Sequence, residues 1–115
     1  MATLRGTTPT FSITLNGIDL SRNYRVYVTI DQNGTQLTKD SVKDVLMVRV
    51  TRIDNDDDTV STQIDVNLTQ SETLQFEVGN ADIQAKWIDE TDVVEASDIS
   101  QITFSRALLE DVIQS

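Results

Sequence analysis

The chain has 115 residues, and its 9 Lys and Arg against 19 Asp and Glu give a formal charge of −10. That length suits a single domain over 1–115, no apolar run approaches the roughly 18 residues of a membrane span, and the opening residues lack the apolar stretch of a secretion signal. His and Cys are both absent, which removes disulfides, the usual zinc and haem ligands, and Ser-His or thiol nucleophiles, so neither enzymatic activity nor a cofactor is expected.

Residues 1–10 read as a polar, Thr-rich arm, with Pro9 placed just ahead of the first strand, where its missing amide costs nothing. Phe11, Ile13 and Leu15 then alternate with Ser12 and Thr14, the pattern of a half-buried strand that Asn16-Gly17 ends. Tyr24, Val26, Val28 and Ile30 form a second alternating set. Asn33-Gly34 predicts a type I′ hairpin, because both residues tolerate positive φ, and 35–38 is its short return strand. Leu46, Val48 and Val50 alternate before the acidic tract 54–58, and Val60, Thr62, Ile64, Val66 and Leu68 alternate after it. Together they read as a hairpin with an acidic tip.

Thr69-Gln70-Ser71-Glu72 fits a capping box, with room for only about one helical turn before Gly79-Asn80. Ala81, Ile83, Ala85 and Trp87 make the clearest strand and put Trp87 in the core. A turn is expected over 89–92, then a last strand carrying Ile99, Ile102 and Phe104. Alternation slips between Ile99 and Ile102, which predicts a bulge or a change of register. In 107–115, Leu108, Leu109, Val112 and Ile113 fall at i, i+1, i+4, i+5, a helical stripe on a short helix or ordered tail.

Roughly six to eight short strands with frequent turn signals and no βαβ rhythm predict an all-β fold, a single antiparallel β-sandwich of immunoglobulin-like kind. A parallel sheet is not expected. Aromatics are only 5% of the chain, so Val, Ile and Leu must build most of the core.

The acidic segments invite functional readings that their chemistry weakens. Asp54, Asp56 and Asp58 match the alternate ligands of an EF-hand loop, but Thr59 stands where glycine is needed and Asp65 replaces the bidentate glutamate. A solvated loop is expected, with a looser β-loop calcium site as the alternative. Asp89, Glu90, Asp92 and Glu95 form a second cluster. Without a sugar-binding aromatic platform it reads as a charged hairpin tip and not as a glycosidase pair. The cations are scattered and outnumbered, so nucleic-acid and membrane binding are not expected. An acidic face that occupies a basic partner is physically allowed.

The string Arg5-Gly6-Thr7-Thr8-Pro9-Thr10 ahead of an alternating strand resembles the start of a family of small phage and prophage proteins of Gram-positive hosts. The resemblance continues over 26–34, in Leu68-Thr69-Gln70-Ser71-Glu72-Thr73-Leu74-Gln75-Phe76, in Ile83-Gln84-Ala85-Lys86-Trp87, in Ala96-Ser97-Asp98-Ile99 and over 108–113. The chain departs from the family at Lys86, where an Arg is frequent, and in the 54–58 tract, which is extra loop length. The family's genes lie among late structural genes. What the resemblance implies is a virion component of the tail, tail tip or baseplate, made in the host bacterial cytoplasm, whose partners are other virion proteins and copies of itself. Docking is expected through Arg5, Thr7, Thr8 and Pro9 of the arm, which could add a strand to a neighbour's sheet, and through Leu108, Leu109, Val112 and Ile113. Removing residues 1–10 is expected to spare the fold. The alternative is an acidic phage-encoded inhibitor or regulator of a basic host protein.

Overall fold

The computed structural model describes residues 2–20, 24–44 and 46–106. In chain order they form β1 (Ala2–Leu4), β2 (Thr10–Asn16), β3 (Arg25–Gln32), β4 (Thr35–Asp40), β5 (Val48–Asp54), β6 (Val60–Asn67), α1 (Gln70–Thr73), β7 (Gly79–Ile88), β8 (Val94–Ala96) and β9 (Ser100–Ser105). The fold is all-β and sandwich-like. One sheet runs β1-β9-β7-β3-β4, with β8 also on β7, and the second runs β2-β6-β5.

Period-two alternation builds both layers. Val26, Val28 and Ile30 of β3 and Ala81, Ile83, Ala85 and Trp87 of β7 point inward, against Phe11 and Leu15 of β2, Val48 of β5 and Ile64 and Val66 of β6. Trp87 is 3% exposed, as its phase requires. Three aromatics tie the layers together. The Phe104 ring stacks on Phe76 with centroids 4.8 Å apart, and meets Phe11 edge-on at 6.4 Å. Polar residues that share the inward phase are satisfied locally. Thr62, fully buried, donates to Ile18 O at 2.6 Å and accepts from Leu20 N, which lays 18–20 over the core. Gln32 follows Ile30 inward and clamps Glu77, donating to its carbonyl and accepting from its amide.

The hairpin at Asn33-Gly34 forms as expected, with φ of 50° and 92°. So does the capping box. Thr69 Oγ1 accepts from Glu72 N and Glu72 Oε1 from Thr69 N, while Glu72 Oε2 also reaches Lys39 Nζ of β4 at 2.6 Å. Burial works against the Glu72 charge, but Lys39 and the cap amide outweigh it and hold the carboxyl below its usual range.

Four features differ from the sequence reading. The larger sheet is mixed and not purely antiparallel, because β1 pairs with β9 in parallel, Thr3 opposite Phe104. Tyr24 precedes β3, and Leu46, 89% exposed, precedes β5. The three-residue β8 carries no buried side chain to announce it, Val94 being 59% exposed. The register change falls at 97–99, just before the expected place. Lys86 pairs with Ala96 but Ile83 with Ser100, so three steps along β7 face four along its partner. Ser97 secures the extra residue by exchanging bonds with Ala85: Ser97 N donates to Ala85 O, and Ala85 N donates to Ser97 Oγ. Ile99 is left outside the strand and exposed. The predicted segment 107–115 lies outside the described residues. No helix among the described residues is long and apolar enough to cross a membrane.

Candidate functional site

The arm residues expected to dock sit at a clasp between the two ends of the fold. Beyond β1, Arg5 N donates to Ser105 O, extending the parallel ladder by one bond. The Arg5 guanidinium then crosses to the loop after α1, where Nε donates to Phe76 O at 2.6 Å and an η nitrogen to Leu74 O at 3.3 Å. Gly6, at φ 77°, turns the chain so that its N–H reaches Thr73 Oγ1 at 3.0 Å. The same buried hydroxyl lies 3.1 Å from Thr7 O and 2.9 Å from Gln70 O, and Pro9 O accepts from Leu68 N. The two most specific strings of the sequence, 5–10 and 68–76, are therefore bonded to each other.

This geometry divides the predicted docking residues. Arg5 and Pro9 are half-buried and engaged with the body of the fold. Thr7 and Thr8 are exposed, with Thr7 Oγ1 closing a local turn on Leu4 O at 2.6 Å. The arm is thus part of the folded unit from Ala2 onward, with Leu4, Thr7, Thr8 and Thr10 facing outward. Leu108, Leu109, Val112 and Ile113 lie outside the described residues.

The two acidic tips turn out to share one device that the sequence reading overlooked. Asp57 Oδ1 accepts from the backbone and hydroxyl of Thr59, the hydroxyl at 2.6 Å. Asp89 Oδ1 accepts from Thr91 N, from Thr91 Oγ1 at 2.7 Å and from Val93 N. In each tip the Thr hydroxyl bond leads in holding the carboxyl below its ordinary range. The signal was present as Asp-x-Thr in both loops, a side chain bonding the backbone two residues on. A positive-φ residue sits in each tip, Asp58 and Asp92, both at 63°. Among the described residues no three carboxylates converge as they would around a cation.

No protein-family model and no curated protein matches this chain.

Proposed function

We propose that this chain is a non-enzymatic phage virion structural protein, a tail, tail-tip or baseplate subunit that docks on other virion proteins. The observation that carries the reading is the paired resemblance at 5–10 and 68–76, two strings far apart in sequence whose residues meet in one clasp. A shared pair of strings that bond each other reflects a shared substructure more strongly than two independent short matches do. The all-β body with short loops suits a subunit that is repeated and held by its neighbours.

The test is mass spectrometry of purified virions. The protein is expected at a fixed copy number relative to the major tail proteins. A phage carrying Leu109→Asp and Ile113→Asp should lose it from the particle while the protein still accumulates in infected cells. Wild-type protein that is abundant in lysates but absent from virions would overturn the proposal and favour an acidic inhibitor of a host protein.

A further inference from the structure

β2 pairs with β6 on one side only, and along its other side a groove opens between the two sheets. Its halves, of about 400 and 420 Å³, share Ile13, Thr14 and Ser100 and so form one continuous trough. Ile13, Ile18, Ile83, Ile102 and Trp87 contribute its apolar surface. Ile13, Ile18 and Ile102 are only partly buried, although each packs on the core. Among the described residues, Asp98 is the one charged residue lining either half, in a chain where 24% of residues are charged. On an acidic molecule, an identical copy approaches this groove against few opposed carboxylates.

We infer that this groove receives residues 107–115 of a second copy of the chain, with Leu108, Leu109, Val112 and Ile113 seated on Ile13, Ile18 and Ile102. The inference rests on the docking role proposed above and names its partner. The stripe at i, i+1, i+4, i+5 supplies the branched side chains that such a trough takes, and leaves Glu110 and Asp111 on the opposite face. The exit path of the chain favours a second copy over the same one. β1 lies along β9 at 103–105, and Arg5 N bonds Ser105 O, so the flank of β9 is closed where the chain leaves it. The far half of the groove lies beside 96–100, at the other end of β9. A segment leaving at Arg106 would have to double back over β1 to fill its own groove, whereas the groove of a second copy needs no such reversal. Each copy then offers one segment and one groove, a head-to-tail contact that builds rings or filaments.

The lack of native cysteine allows a direct test. Ser100→Cys in one preparation and Val112→Cys in another, mixed under mild oxidation, should give a disulfide-linked pair. A Thr51→Cys partner, on the far sheet, should not. By light scattering the intact chain should show its mean mass rising about twofold or more with concentration. A chain ending at Arg106 should keep its β circular dichroism and remain single. Intact chain that stays single at all concentrations overturns the inference. So does association that survives truncation, or linkage found only within one chain carrying both cysteines. Purified protein is used throughout, so a negative result leaves virion incorporation standing, and absence from virions leaves a cross-link standing.

Discussion

At the turn after β4, a single carboxylate organises the chain. Asp40 Oδ1 accepts from the backbone of Val42 at 2.8 Å and of Lys43 at 2.7 Å, while Oδ2 takes the Arg25 guanidinium at 2.9 Å. Arg25 first, then the Lys43 amide, pull the Asp40 carboxyl down from 3.8 to about 2 against the opposing effect of burial. A folded-state pKa below the unfolded one stabilises the fold above the unfolded value, and that contribution is lost as pH falls through the folded value. The urea midpoint should therefore drop as pH falls from about 4 to about 2, and Asp40→Asn should flatten the drop across that window. Glu72, Asp57 and Asp89 shift in the same direction and keep some slope in the variant.

Asp31 is the opposite case. It stands directly across from Asp82, and its Oδ1 is shielded from solvent with no hydrogen-bond donor. Like charges opposed across two strands destabilise. Asp31→Asn should raise stability by about 0.2–1 kcal/mol in a denaturant titration, and an unchanged or lower midpoint would show that the facing charges carry no cost.

Among the elements, the strap from β1 to β2 and the turn of α1 depend on each other through one hydroxyl. Thr73→Val keeps the shape but leaves Gly6 N–H without its acceptor, which should cost about 1–3 kcal/mol. Chemical denaturation read by far-ultraviolet circular dichroism measures it. Deleting residues 1–9 removes the β1 ladder, the Arg5 bonds and the Pro9 carbonyl together. It should lower the melting temperature more than Thr73→Val does, contrary to the expectation that removing the arm spares the fold.

What could be read beforehand was whatever local chemistry decides. Asn33-Gly34, the capping box and the stripe from Ala81 to Trp87 each specify their structure within a few residues. Leu46 shows where periodicity misleads. It is in phase with Val48, but Asp44 O accepts from both Met47 N and Val48 N, so the chain is still turning there. β8 has no buried side to create a pattern. The groove beside β2 is invisible in the sequence, because its walls come from strands whose neighbours only the pairing reveals. The clasp was half legible: both strings stood out, but nothing in them announced that Arg5 reaches Phe76.

Across the whole molecule, the scarcity of aromatics concentrates stability in a few rings. Phe104 is fully buried, belongs to the larger sheet, and touches Phe11 of the smaller one and Phe76 beyond α1. Phe104→Ala should cost about 3–5 kcal/mol. Because both sheets share that core, loss of structure should appear at the same denaturant concentration by circular dichroism and by Trp87 emission. Separate transitions would mean that the two sheets hold together independently.

The parallel pairing of β1 with β9 also sets an order in time. Thr3 leaves the ribosome 101 positions ahead of its partner Phe104. At about 5–20 residues per second, that is an interval of roughly 5–20 s. Throughout it the edge of the larger sheet cannot be completed, since the strand beside β1 has not been made. The Arg5 bonds to Leu74 and Phe76 become available sooner, so the start of the chain can be moored there while it waits. The first-made of the described strands is thus among the last to find its place, because its partner β9 is the last of them to be made.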